Sequence, residues 1–168
     1  MSKPPFFTIL TASLNNRSTI KQTIESIKNK TYQNFEHIVI DGDSEDGTPD
    51  ILKKAAHTYP LTWISEPDKG IADALNKGLR YATGKYILVI QADDSLLGPE
   101  ILESLYPLLS TERVDVCSFP VIFDHPEKGK LLRKPIRILW WNHFKFIFPH
   151  QGCFVHRRVF DQDRKSVV

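Results

Sequence analysis

Short unbroken apolar runs alternate along the chain with stretches whose apolar positions recur every three or four residues. Positions 6–10 are an apolar run of β type that gives out at Thr11-Ala12-Ser13-Leu14-Asn15-Asn16, a cluster of turn formers and helix caps. This predicts a strand over 6–10 and a polar loop after it. Ile20, Ile24 and Ile27 then share one helical face, with Ser18 or Thr19 placed to cap, and predict a helix over 18–29. A second apolar run at 35–40 stops at Asp41-Gly42-Asp43-Ser44-Glu45-Asp46-Gly47, whose density of carboxylates places it outside the core. Thr48-Pro49-Asp50 opens the next helix, with Ile51, Leu52, Ala55 and Ala56 on one face, and 61–65 reads as a third strand. Glu66-Pro67-Asp68-Lys69-Gly70 is a loop, and Ile71, Leu75 and Leu79 with Ala72, Ala74 and Ala82 mark a helix ending near Gly84. The most apolar run, 86–90, ends at Gln91-Ala92-Asp93-Asp94-Ser95 and precedes a helix from about 99 to 109.

Connections of this length are what parallel strands require, so the first 110 residues are expected to form a doubly wound, mostly parallel α/β sheet. After the run at 114–120 the alternation fails. Val121-Ile122-Phe123, a turn at His125-Pro126-Glu127-Lys128-Gly129 and an aromatic, basic stretch over 130–148 predict a smaller C-terminal part of antiparallel strands and loops.

Composition changes this picture little. At 168 residues, 41% hydrophobic and 25% charged, the chain reads as one folded domain. A formal net charge of +2 is too small to imply nucleic-acid binding. Its distribution is more telling: residues 1–110 carry eleven basic and fourteen acidic side chains, and residues 111–168 eleven basic and six acidic. Cys117 and Cys153 are far apart and flanked by apolar residues, as buried thiols in a reducing compartment would be, and neither suggests a zinc site. The N-terminus lacks the apolar stretch of a signal peptide, and no run reaches the roughly 20 apolar residues of a membrane span, which places the chain in the cytoplasm.

Ligands of open α/β sheets bind outside the carboxyl ends of the strands. Here those ends deliver Thr11 and Ser13, Asp41 and Asp43, Glu66 and Asp68, and Asp93 and Asp94. Turn and cap chemistry explains any one of these loops, and Asp46-Gly47-Thr48 most of all, but four such loops on one edge weaken that explanation. Adjacent carboxylates such as Asp93-Asp94 repel each other at a buried strand end unless a cation relieves them. Oxygen donors without a nearby Cys or His cluster favour Mg²⁺ or Mn²⁺, which completes its shell with substrate phosphates and so points to a nucleoside diphosphate. A plain helix start at Asp94-Ser95 before Gly98-Pro99 is the competing explanation. The chain has no G-x-G-x-x-G after the first strand, no G-x-x-x-x-G-K-[ST] and no G-x-S-x-G, which excludes a dinucleotide site, a P-loop and a nucleophile elbow. The want of acidic residues after the first strand argues against a receiver domain.

Residues 7–15, 37–48, 65–78 (Ser65-Glu66-Pro67-Asp68-Lys69-Gly70 onward), Gly84-Lys85-Tyr86 and Gln91-Ala92-Asp93-Asp94 together resemble family 2 glycosyltransferases of the GT-A fold. The likeness is greatest to the branch that builds bacterial surface polysaccharides, including colanic-acid-type enzymes, and runs in order over about residues 6–160. It implies the nucleotide-diphospho-sugar transferase fold and one glycosyltransferase domain, with a nucleotide-sugar-binding half over about 1–110 and an incomplete acceptor-side half over about 111–168. It also implies inverting transfer from a nucleotide-sugar donor, usually a UDP-sugar, to a glycan or lipid-linked acceptor. Carried over by position, Thr11, Ser13 and Asn15 would line the nucleoside pocket, Asp41 would contact base or ribose, and Asp73 and Asp93 would face the nucleoside. Asp94 would hold Mg²⁺ or Mn²⁺ against the diphosphate. Gln91 stands where the metal motif usually begins with Asp or Asn, and Gly42 where some members carry an acidic base-reading residue.

Family members take their general base from beyond the segment that Pro149-His150-Gln151-Gly152-Cys153-Phe154 resembles. Here only Asp161 and Asp163 follow, beside Arg164 and Lys165, so the base segment reads as cut off or replaced and the catalytic base is unassigned. That makes a donor-binding module without transfer the alternative function, and a nucleotidyltransferase a more distant one. His150-Gln151 fits an acceptor-side pair and a structural loop equally. Leu139-Trp140-Trp141-Asn142-His143-Phe144-Lys145-Phe146, behind Lys130, Arg133, Lys134 and Arg137, suits peripheral contact with the inner face of a membrane and also core packing under a lid. Single-stranded nucleic acid would be repelled by the acidic sheet edge.

Overall fold

The computed structural model describes residues 4–111, 114–134 and 150–163. Strands β1 (Phe7–Ser13), β2 (Phe35–Asp41), β3 (Leu61–Ser65) and β4 (Tyr86–Val89) are parallel, and helices α1 (Ile20–Lys28), α2 (Thr48–Ala56) and α3 (Ile71–Leu79) connect them. The chain continues through α4 (Ile101–Thr111), β5 (Val116–Ser118), a hairpin of β6 (Val121–His125) and β7 (Gly129–Arg133), a 3₁₀ turn at His150–Gly152, β8 (Cys153–His156) and α5 (Arg157–Asp163). The main sheet has the order β3-β2-β1-β4-β8-β5, with β8 antiparallel to both neighbours, while β6 and β7 form a separate ribbon. The doubly wound, mostly parallel sheet with a smaller antiparallel part is the GT-A architecture expected from the sequence.

Both faces of the parallel strands are covered, which is why they read as unbroken apolar runs rather than alternating ones. Phe7, Ile9, Phe35, Tyr86 and Leu88 pack on one face against Ile27 and the Leu102, Leu105 and Leu109 row of α4. Leu10, Ile38, Ile40 and Ile87 pack on the other against Ala74 and Leu75 of α3. Gly84 lets the turn before β4 lie on β1, since a Cβ there would come within 2.6 Å of the Thr8 backbone nitrogen.

Several boundaries differ from the sequence reading. β1 runs to Ser13 and β2 to Asp41, because Ser13 and Asp41 are partners in the parallel ladder and their polar groups are satisfied there, Ser13 by Asn16 and Asp41 by Ser44 and by Ser65 of β3. Asp41, expected outside the core, is fully buried. α3 ends at Leu79, well before Gly84. Its periodic Ala82 is carried instead by turns in which the Tyr81 and Ala82 N–H groups donate to the Gly78 carbonyl. Residues 157–163, for which the sequence pattern predicts no element, form α5, held by Arg158 Nε to Asp115 Oδ1 at 2.5 Å and by the Arg157 N–H to the Lys85 carbonyl. Neither cysteine is in a disulfide; Cys153 is buried, as expected, and Cys117 is half-buried. The stretch 135–149, with Arg137, Trp140 and Trp141, lies outside the described residues, as do Arg164, Lys165 and the side chains of His150 and Asp163. No helix among the described residues is long and apolar enough to cross a membrane.

Candidate functional site

The chain winds outward from β1 through β2 to β3, then returns to lay β4 on the other side of β1. The crevice between the carboxyl ends of β1 and β4 is thus the topological switch point, where open α/β sheets bind ligands. A cavity of about 300 Å³ opens there, walled by Ser13 at the end of β1, Leu14 and Asn16 from the loop after it, Asp68 and Gly70 from the loop after β3, and Gln91 and Asp93 from the loop after β4. A second cavity, of about 510 Å³, lies on the far side of that last loop, between α4 and the β6–β7 ribbon. Its floor is apolar, with Leu88, Ile90, Leu105 and Phe154, and its mouth carries Asp93, Asp94, Asp124, Lys130 and Gln151. Asp93 lines both cavities.

The β1 and β2 loops are held as one unit. Asp41 accepts from the Ser44 hydroxyl at 2.6 Å, the Ser44 N–H at 3.0 Å and the Ser65 hydroxyl at 2.7 Å, which satisfies a carboxylate buried between β1 and β3. Asn15 adopts a left-handed backbone (φ 53°), a conformation Asn tolerates. Its N–H donates to Ser44 Oγ at 2.8 Å and its Oδ1 accepts from the Glu45 N–H at 3.2 Å. Asp46 accepts from the Thr48 hydroxyl and N–H at the start of α2 and from the Arg17 N–H, and the Thr48 bond first of all holds its carboxyl below the usual range. Thr11 points away from the crevice. It is buried, with Oγ1 3.0 Å from His37 Nε2, and His37 Nδ1 lies 2.6 Å from the Tyr59 hydroxyl. Burial pushes His37 down to about 3, so the imidazole is neutral.

The third wall is set by Lys77. Its ammonium donates to the Pro67 carbonyl at 2.7 Å and lies 3.0 Å from Glu66 and 3.6 Å from Asp73. The bond to Glu66, more than the neighbouring charges, raises Lys77 above its ordinary value. Asp73 also accepts from the Lys69 N–H, so its carboxylate closes the turn into α3 instead of facing the cavity. Asp68 does face it. A Cβ on Gly42 would lie 2.7 Å from Asp68 Oδ2, so Asp68 fills the space that a side chain at position 42 would need.

On the fourth wall the loop after β4 turns back on itself. The Asp94 N–H donates to the Gln91 carbonyl at 3.0 Å, and Asp94 Oδ2 accepts from the Gln91 N–H at 3.3 Å. Asp93 is exposed and Asp94 half-buried. No group of three or more His, Cys, Asp or Glu side chains among the described residues is arranged to hold a metal. The donor set fits a hard cation taking one or two carboxylates and filling its shell from phosphate and water, and does not fit one needing a protein cage.

The structure therefore brings Ser13, Asp93 and Asp94 to the crevice. Asn15, Asp41 and Asp73 hold its walls, and Thr11 lies beneath it. Asn16, Asp68 and Gln91 line the small cavity without having been assigned a site role, Asp68 having been named only among the strand-end carboxylates and Gln91 only as a departure from the metal motif. Each is the immediate neighbour or loop-mate of one that was so assigned, and only the direction of the side chain separates them.

A family model described as glycosyl transferase family 2 matches residues 8–162. The chain is 32% identical over 111 residues to an uncharacterized glycosyltransferase of Mycobacterium tuberculosis, covering 66% of this chain and 42% of the relative. It is 34% identical over 106 residues to WfaP of Escherichia coli, a UDP-Glc:alpha-D-GlcNAc-diphosphoundecaprenol beta-1,3-glucosyltransferase, covering 63% and 42%. Among solved structures, S. aureus TarS 1-349 in complex with UDP-GlcNAc superposes with a TM-score of 0.77 at 16% identity, over 94% of this chain and 47% of that one. Mannosyltransferase PcManGT from Pyrobaculum calidifontis, in complex with GDP-Man and Mn²⁺, gives 0.71 at 23%, over 96% and 47%. These likenesses show the fold. The chain spans about two fifths of the length of the curated relatives it matches.

Proposed function

The chain belongs to glycosyl transferase family 2, and from that premise we propose that it binds a nucleotide-diphospho-sugar donor, a UDP-sugar by preference, across the two cavities that meet at Asp93. The observation that carries this reading is the position of Asp93 on the ridge between a small cavity and a larger one with an apolar floor, with Asp94 beside it at the mouth of the larger. The nucleoside takes the 300 Å³ cavity, where Ser13, Asn16 and Asp68 offer hydrogen-bonding groups to ribose and base. The sugar and the acceptor take the 510 Å³ cavity. The diphosphate then crosses the ridge between them.

Asp94, with Asp93 beside it, would hold Mg²⁺ or Mn²⁺ there. The metal's chemical contribution is to neutralise charge that builds on the diphosphate as the sugar leaves. The chain's own residues orient the donor: the Asn15–Ser44 and Asp41–Ser65 bonds fix one wall, Lys77 fixes the next, and Lys130 faces the far side of the larger cavity. The reading extends to inverting transfer onto a glycan or lipid-linked acceptor in surface polysaccharide synthesis. It places the protein in the cytoplasm, against the inner face of the membrane that holds such an acceptor.

A thermal-shift panel of UDP-, GDP- and dTDP-sugars with and without Mn²⁺ tests the donor. A shift with UDP-sugars that Mn²⁺ enlarges is expected, and an unchanged midpoint with every nucleotide refutes the reading. Donor binding without transfer is the second reading, favoured by Asp161, which is exposed and lines neither cavity. Transfer of labelled sugar to a lipid-linked acceptor by this chain would eliminate it.

A further inference from the structure

Three side chains tie α1 to the loop after β4. Thr23, Ser26 and Lys30 are spaced three and then four positions apart, so the helical repeat stacks them on one side, with Lys30 two residues past the end of α1. That side meets the backbone of residues 92–98. Thr23 is fully buried, and its Oγ1 lies 3.0 Å from the Ala92 carbonyl oxygen and 2.7 Å from that of Asp94. Ser26 Oγ accepts the Leu96 N–H at 3.0 Å and its own hydroxyl donates to the Thr23 carbonyl at 2.7 Å. Lys30, only 5% exposed, sets its ammonium between the carbonyl oxygens of Leu96 at 2.7 Å and Gly98 at 2.8 Å. All five bonds to the loop end on its backbone, so they fix its path without drawing on the carboxylates of Asp93 and Asp94.

Stability alone does not call for this arrangement. A buried ammonium is costly to desolvate, and burial pushes Lys30 below its ordinary value against the pull of Glu100. A methionine or leucine at position 30 would pack against α1 and α4 without that cost. What the polar groups supply and an apolar one would not is a fixed path for the 92–98 backbone. We propose that Thr23, Ser26 and Lys30 are positioning residues, a clamp borne on α1 that sets the Asp93-Asp94 loop in the geometry needed to bind a divalent cation together with a nucleoside diphosphate. The inference rests on the donor reading above and adds residues that touch neither ligand.

The test uses Thr23→Val, which keeps the shape and removes the hydroxyl, Thr23→Ser, which restores it, and Lys30→Met. Hydrogen exchange of residues 91–98 is measured without ligand, and UDP affinity is measured by calorimetry with and without Mn²⁺. Thr23→Val and Lys30→Met are expected to speed exchange in 91–98 while β1 and β2 stay protected. The gain in UDP affinity conferred by Mn²⁺ should fall by about tenfold, the scale on which outer-shell partners tune metal sites. Metal-free UDP affinity should stay within about twofold, and Thr23→Ser should recover both readouts. Unchanged exchange, an undiminished Mn²⁺ gain, or equal losses with and without metal would each overturn the clamp. If Lys30→Met fails to fold, the Thr23 pair decides alone. A wild-type chain that gains nothing from Mn²⁺ overturns the metal reading and the inference with it, and is recognised because it appears in the unmutated protein.

Discussion

His37 provides a pH test of the buried layer on which the crevice rests. Its ring is fully buried between the Thr11 and Tyr59 hydroxyls and is held down to about 3, whereas the unfolded chain binds a proton near pH 6.5. Between those values the unfolded state carries more protons than the native state. The stabilisation from keeping His37 neutral is therefore fully present above about pH 6.5 and is lost progressively as pH falls toward 3. From pH 7.5 to 5.0 the linkage amounts to about 2 kcal/mol, a substantial fraction of the roughly 5–15 kcal/mol that holds a domain together. Urea unfolding followed by tryptophan fluorescence at pH 7.5, 6.5 and 5.0 measures it, with His37→Gln as the reference that removes the titrating group while keeping polar atoms in the slot. The wild type should lose about 2 kcal/mol more than His37→Gln across this range. Parallel losses in the two proteins, or an imidazole resonance that titrates near pH 6.5 in the folded chain, would refute the reasoning.

Asp94→Ala should abolish Mn²⁺-dependent UDP binding by calorimetry with the unfolding midpoint little changed, and equal affinities would remove Asp94 from the site. Gly42→Asp sets a second carboxylate against Asp68, whose Oδ2 lies 2.7 Å from the position of the new Cβ. Nucleotide affinity should fall by about tenfold, and Gly42→Asp combined with Asp68→Gly should recover part of it. Lys77→Met frees the Pro67 carbonyl, Glu66 and Asp73 together. It should weaken UDP binding severalfold while barely moving the urea midpoint, because the ion pairs are solvent-screened.

The alternation of elements was legible because a sheet covered on both faces writes itself as apolar runs, and β3 and the start of α2 fall where the pattern put them. The strand ends were not legible. Thr11, Ser13 and Asp41 read as loop by composition, yet each is kept in the ladder by a partner. Thr11 depends on His37, 26 residues away, and Asp41 on Ser65, 24 residues away. Local propensity carries no information about such distant satisfaction. The same limit applies to the site. The sequence identified the four loops but not which residue in each faces the crevice, so Asn16 was passed over and Asp68 named only as one of a strand-end pair, while Asp73 and Thr11 were given site roles. Thr23, Ser26 and Lys30 gave no signal at all, since polar residues on a helix read as its solvent side until the 92–98 backbone is found lying against them.

The acidic first part of the chain and the basic last part meet at the larger cavity, where Asp93 and Asp94 face Lys130 of the β6–β7 ribbon. Lys130 is the one basic side chain lining either cavity among the described residues. A diphosphate laid on the ridge would thus meet Asp68, Asp93 and Asp94 with a single cation opposite, and unit charges 4 Å apart at an effective dielectric of 20 interact by about 4 kcal/mol. Repulsion on that scale, reduced by solvent at the exposed Asp93, offsets several of the ribose and base hydrogen bonds, at about 1 kcal/mol each. Under the donor reading, then, a divalent cation supplies a large share of the nucleotide affinity and is not an accessory to it. Lys130→Ala should consequently lower nucleotide affinity more in the absence of Mn²⁺ than in its presence, because the lysine is then the one positive charge that the described residues bring to either cavity. An equal loss under both conditions in a calorimetric titration would place the phosphates elsewhere.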